Sequence, residues 1–149
     1  MDDELPDFDR FGHDEAWRLG SRLVERCRAD GLPVVISIHL GEQRVFHAAL
    51  PGSSADNDAW VDRKTRVVRR FDRSSLAVAE RYFTEDRAAR MAGFGLPPEE
   101  FAPGEGAVPI RVHGTQVGVL SLSGLEPTGD HVLVVSALQE AAAEEEADR

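Results

Sequence analysis

The chain has a single cysteine, Cys27, among 149 residues. No internal disulfide can form, and no CxxC pair or Cys/His cluster offers zinc spacing, so a reducing compartment is the expectation and no metal is assigned. Nowhere does an apolar run approach the ~18 residues of a membrane helix. The first residues, MDDELPDFDRFG, are acidic and lack the basic and apolar stretches of a secretory leader. A cytoplasmic protein with no membrane partner is expected. Basic residues are scarce too: 17 against 27 acidic ones, a formal net charge of −10. That balance argues against nucleic acid as a partner, because such binding draws on phosphate neutralisation by Lys and Arg.

What basic charge there is sits in one place. Arg63, Lys64, Arg66, Arg69, Arg70 and Arg73 put six of the seventeen basic residues into eleven positions. The acidic counterpart is the C-terminus, with Glu140, Glu144, Glu145, Glu146 and Asp148. The length suits one domain, expected over residues 14–146 behind a mobile acidic arm at 1–13.

Apolar residues recur at helical spacing over 14–30 (Trp17, Gly20, Leu23, Val24, Cys27), and Gly31 with Pro33 closes that helix. Residues 33–40, PVVISIHL, are β-branched and read as a strand, with Val34, Ile36, Ile38 and Leu40 on one face and Val35, Ser37 and His39 on the other. A turn at 41–43 and a returning strand at 44–50 make a hairpin. A helix is predicted over 58–71, capped by the Asp56, Asn57, Asp58 cluster. A second starts at Ser74 or Ser75 and can restart at Thr84. Strands at 107–112 and 116–123 flank a turn at 113–115, and Gly118 leaves room for a close neighbour. Thr128 caps a last helix over 130–146. Two hairpins among helices, without strand–helix–strand alternation, predict an α+β fold: an antiparallel sheet packed by helices.

Two segments are distinctive. FHAALPGSSADNDAWVDRKTRVVRRFDRSS (residues 46–75) resembles the FHAALPGT-DND-W-RK-VVxRFGHSS signature of a branch of the haem-degrading-domain (GlcG/HbpS-like) family. GEGAVPIRVHGTQVGVLSLSGLEPTGDHVLVVSAL (residues 104–138) is similar to the GG-PI-V-G-VG-V-VSGL-DH-LV stretch that ends those proteins. The resemblance implies a profilin-like central antiparallel sheet with helices on its faces, a homo-oligomer, and haem as a possible cofactor. Three positions depart from the pattern. Arg73 replaces a frequent histidine, Glu105 stands where a glycine is usual, and Ser53 replaces a threonine.

The site candidates are His47, Asn57, Trp60, Arg63, Lys64, Arg66, Arg70, Arg73 and His131. Arg63, Arg66, Arg70 and Arg73 follow i, i+3, i+7 and i+10, so like charges share a helix flank and need an opposing charge. Asp62 can pair with Arg66, and Asp72 with Arg69. The rest suit a carboxylate-bearing ligand through paired N–H donors, or the acidic surface of a second subunit. His47 and His131 can converge on one site or serve as hydrogen-bonded structure. Asn57 and Asp58, with Trp60, can frame a pocket, or cap the helix while Trp60 packs into the core. His39 reads as strand surface and Cys27 as core. Ser74 and Ser75 lack a nucleophile elbow and read as caps. No catalytic constellation is legible. The expected function is an oligomeric binding protein for a small anionic ligand; the alternatives are a haem-binding or haem-degrading enzyme, and a protein-interaction scaffold using the acidic termini.

Overall fold

A computed structural model describes residues 4–125 and 129–149. Thr128, expected to cap the last helix, lies outside the described residues. The elements are β1 (Asp7–Phe8), α1 (His13–Ala29), β2 (Val35–Leu40), β3 (Gln43–Ala49), α2 (Ala55–Phe71), α3 (Ser75–Tyr82), α4 (Arg87–Gly93), β4 (Ala107–Val112), β5 (Thr115–Ser123) and α5 (Gly129–Ala147). The β-branched runs and short Gly-containing turns give both hairpins where the sequence places them. All five strands form one sheet in the order β1-β4-β5-β2-β3. The β2–β3, β2–β5 and β4–β5 pairs are antiparallel. This is the α+β architecture expected from the sequence, with one short parallel strand added.

That strand falls in the segment expected to be a mobile arm. Asp7 and Phe8 pair in parallel with Arg111 and Val112, and Phe8 is buried in the main core. Asp9 and Arg10 donate their backbone N–H groups to Glu145. A lone phenylalanine between acidic residues has no periodicity, but its burial is favourable by roughly 1.5–3 kcal/mol.

Side chains of Val34, Ile36, Ile38, Val108, Ile110, Leu120 and Leu122 pack with Ala16, Leu19, Leu23 and Cys27 of α1 and with Leu133, Val134, Ala137 and Leu138 of α5. The opposite face lies under α2, where Val68 packs with Ala107 and Val119 and Thr65 Oγ1 meets Ser121 Oγ at 2.7 Å. Val67 joins Val78, Phe83, Met91 and Leu96 to fasten α3 and the segment around α4. Because helices cover both faces, β2 is buried along nearly its whole length. His39, expected at the strand surface, is therefore only 6% exposed. Trp17 departs the other way. It lies off the buried stripe of α1 and is 65% exposed, its ring centroid 5.6 Å from that of Phe46 in an edge-on arrangement.

Capping sets the start of α2 three residues earlier than expected. Ser54 Oγ accepts from the Asp56 N–H, and Asn57 Oδ1 accepts from the Ser54 N–H at 3.0 Å, a reciprocal capping pair. Ser74 caps α3 by accepting from the Ala77 N–H at 3.0 Å. Ser75 Oγ instead accepts from the Ala107 N–H at 3.0 Å and fixes the start of β4. Gly118 admits the His39 carbonyl where a Cβ would collide with it. No described helix is long and apolar enough to cross a membrane.

Candidate functional site

The first half of α2, the 102–105 loop, the end of β5 and the first turn of α5 enclose a cleft of about 410 Å³. Asn57, Trp60 and Lys64 line it, with Asp56, Glu105, Ser123 and Asp130. The capping pair fixes Asn57, whose Nδ2 donates to Ser123 Oγ at 3.3 Å and ties the helix start to the sheet. Trp60 is 42% exposed rather than a core residue. Its Nε1–H donates to Asp56 Oδ2 at 3.2 Å, and the Arg63 guanidinium lies over its ring, 4.4 Å from the centroid. Of this stack, Trp60 belongs to the cleft lining.

Lys64, the only lysine of the chain, forms the floor and is 5% exposed. Its Nζ donates to the Glu105 carbonyl at 2.9 Å and the Leu122 carbonyl at 2.6 Å. The third direction is taken by Asp130 Oδ2 at 3.5 Å. An ammonium has three donors, so Lys64 has none left for a ligand; it joins loop, sheet and α5. Burial pulls the Lys64 ammonium below its ordinary range, while Asp130 opposes that. Burial likewise raises the Asp130 carboxyl, against Lys64 and the Leu125 N–H that bonds its Oδ1. The Glu105 carboxyl is also raised, first by burial.

The remaining candidates are placed elsewhere. Arg66 donates to the Glu100 carbonyl at 3.0 Å and Arg70 to the Phe94 carbonyl at 2.9 Å, so both strap the 94–100 segment to α2. Arg73 is exposed. The within-helix pairs expected from the sequence do not form. Asp62 takes Arg44 at 2.5 Å, Asp72 takes Arg111 and Gln116, and Arg69 donates to the Gly41 carbonyl at 2.7 Å. His47 Nε2 lies 2.6 Å from Asp58 Oδ1 on the outer strand. His131 Nε2 lies 3.3 Å from Glu4 Oε1. The two histidines do not converge, and neither lines the cleft. Sequence reasoning missed Asp130 and Ser123, whose only local signals are a helix start and a strand end.

Residues 11–139 match the family described as haem degrading protein HbpS-like. The chain belongs to that family. It is 45% identical over 133 residues to a UPF0303 protein of Streptomyces coelicolor, covering 89% of this chain and 84% of that protein. It is 42% identical over 132 residues to a UPF0303 protein of Acidobacterium capsulatum, covering 88% and 79%. Among solved structures, the Ybr137w protein superposes with a TM-score of 0.84 at 28% identity, covering 93% of this chain and 82% of that one. A PduOC:heme complex shares the fold with a TM-score of 0.69 at 15% identity, covering 89% and 93%. HbpS does so with a TM-score of 0.66 at 16% identity, covering 95% and 94%.

Proposed function

We propose that this HbpS-like protein is a non-enzymatic, oligomeric binding protein that takes a flat, carboxylate-bearing ligand in the Trp60 cleft. The carrying observation is the convergence of two helix N-termini, those of α2 and α5, on a cleft lined by Trp60, with the Arg63 guanidinium stacked over that ring. Helix N-termini favour negative charge. Trp60 offers a half-exposed aromatic face, and Arg63 a guanidinium able to pair with a carboxylate. Of the cleft carboxylates, Asp130 is paired with the Lys64 ammonium, and Asp56 is fixed in place by the Trp60 indole N–H. Support for self-association comes from exposed Trp17 and Val132 and from the seven-residue edge strand β3, the kinds of surface that pair with a second copy. A cytoplasmic setting is consistent with the unpaired Cys27.

The test is equilibrium binding to the full chain, with Trp17→Phe leaving Trp60 as the sole tryptophan reporter. Titration with hemin and with di- and tricarboxylates should give saturable quenching and a raised Tm, both lost in Arg63→Ala. No quenching or stabilisation by any of them overturns the proposal.

Haem itself is a second reading, favoured by the family description and by the fold shared with the PduOC:heme complex. Among the described residues the cleft lining has no histidine, cysteine, methionine or tyrosine, so these residues do not fit axial iron ligation. Haem held here would rest on Trp60 and on its propionates. A sharp Soret shift typical of nitrogen or sulfur ligation would contradict that arrangement. An interaction scaffold built on the acidic tail has less support, because Glu140, Glu144 and Glu145 already engage Arg26, Arg22 and the 9–10 backbone.

A further inference from the structure

A second polar cavity, of about 170 Å³, lies where α2 crosses the β2–β3 hairpin and is lined by His39, Arg44, Asp62, Thr65, Arg66 and Arg69. It shares no lining residue with the Trp60 cleft. Three guanidinium groups meet one carboxylate here, so the formal charge of the lining is +2. Each arginine already has a partner on one side: Arg44 Nη2 on Asp62, Arg66 Nη1 on the Glu100 carbonyl, and Arg69 Nη2 on the Gly41 carbonyl. A guanidinium carries five N–H donors in a fixed fork, so each retains donors beyond that anchor while being held in position by it.

The His39 imidazole belongs to the lining and is itself nearly buried. It is 6% exposed, and its Nδ1 is buried with no hydrogen-bond partner among the described residues. Arg44 Nε donates to His39 Nε2 at 3.4 Å, which makes Nε2 the acceptor and leaves the ring proton on Nδ1. Ser37 Oγ, two residues earlier on the same strand face, is also buried without a partner among the described residues. Buried donors left unpaired are costly, commonly ~1–3 kcal/mol each. The volume is several times what one ordered water needs.

We propose that this cavity is a binding site for a small oxyanion of the phosphate class, held by the free donors of Arg44, Arg66 and Arg69 beside His39. A tetrahedral oxyanion presents acceptor oxygens in several directions, which suits guanidinium groups converging from two elements better than a single planar carboxylate does. The field in the cavity agrees. Burial lowers the Arg69 pKa, and the like charges of Arg66 and Arg44 add to that. Burial, then Arg69 and Arg44, push His39 down to about 4. The charged groups facing His39 are Arg44 from β3 and Asp62, Arg66 and Arg69 from α2, with Glu42 of the hairpin turn acting on Arg69. Across β5 its neighbour is the uncharged Val119.

The experiment is calorimetric titration of the full chain with inorganic phosphate and, separately, phenyl phosphate, at constant ionic strength set by chloride. Imidazole NMR of His39 is followed alongside. Saturable phosphate binding is expected, weakened about tenfold or more in Arg69→Gln and unchanged in Arg28→Gln at an exposed position of α1. The His39 pKa should rise from about 4 towards its ordinary 6.5 as the anion binds. Binding of both ligands indicates recognition of a phosphoryl group on a larger metabolite; binding of inorganic phosphate alone indicates a closed site for the free ion. If Arg69→Gln does not fold, Arg44→Gln serves in its place. Absence of saturable binding, or binding unaltered in a folded Arg69→Gln or Arg44→Gln with His39 unmoved, overturns the proposal. Carboxylate binding at Trp60 can stand or fall independently.

Discussion

Lys64 Nζ lies 3.5 Å from Asp130 Oδ2, joining the buried face of α2 to the first turn of α5 past the end of the sheet. The pair is enclosed, with side-chain exposures of 6% and 11%. Attraction therefore operates at short range, but both groups have been taken out of water.

Lys64→Ala strands a buried carboxylate and deprives the Glu105 and Leu122 carbonyls of a donor. Breaking one side of such a pair commonly costs about 3–5 kcal/mol, and urea unfolding should show a loss of that size. The double variant Lys64→Met/Asp130→Asn should lose less than the sum of the two single changes, because neither partner is left charged and alone. Additive losses would show that the two groups do not act as a pair.

Gly106 has φ +124, and a Cβ there would run into Lys64 Nζ and the Leu122 carbonyl. Gly106→Ala should therefore combine backbone strain with displacement of the ammonium, costing about 2 kcal/mol or more. Thermal unfolding measures the loss. The Ala variant combined with Lys64→Met should recover part of it.

His39 is held down at about 4 against an ordinary 6.5, first by burial and then by Arg69 and Arg44. The unfolded chain then binds a proton at this position between those pH values and the folded chain does not. Stability from this group is complete above pH 6.5 and is lost as pH falls towards 4, by about 2–3 kcal/mol across that window. Urea midpoints measured from pH 7 to 4.5 should fall less steeply in His39→Leu than in the native chain. Equal slopes would remove His39 as the source.

Arg66 and Arg70 hold the carbonyls of Glu100 and Phe94. Replacing both by alanine should loosen the 94–100 segment, with limited proteolysis there severalfold faster and little change in global unfolding. Cleavage at the native rate would show that aromatic packing around Phe94 suffices.

Periodicity of two and short turn signals made both hairpins and the α+β class legible in the sequence. The resemblance over residues 46–75 and 104–138 named the family that the match over 11–139 shows. Capping at Ser54 was less legible, since Asp56 to Asp58 are equally good cap residues and only the Ser54–Asn57 reciprocity decides between them. Of the site, Asn57, Trp60 and Lys64 do line one cleft. The like-charge spacing of the cationic side chains was visible, but the acceptors of Arg66, Arg70 and Lys64 include main-chain carbonyls 24 to 58 residues away in sequence. Main-chain acceptors leave no mark in residue type. His39 was misplaced for a related reason: an alternating strand shows two faces but does not show that helices cover both.

The pairing of Phe8 with Val112 has a consequence for biosynthesis. During synthesis Phe8 must wait for about a hundred further residues before Val112 exists. During that interval its aromatic side chain has no partner strand and is open to capture by other nascent chains, so this sheet margin closes late in folding.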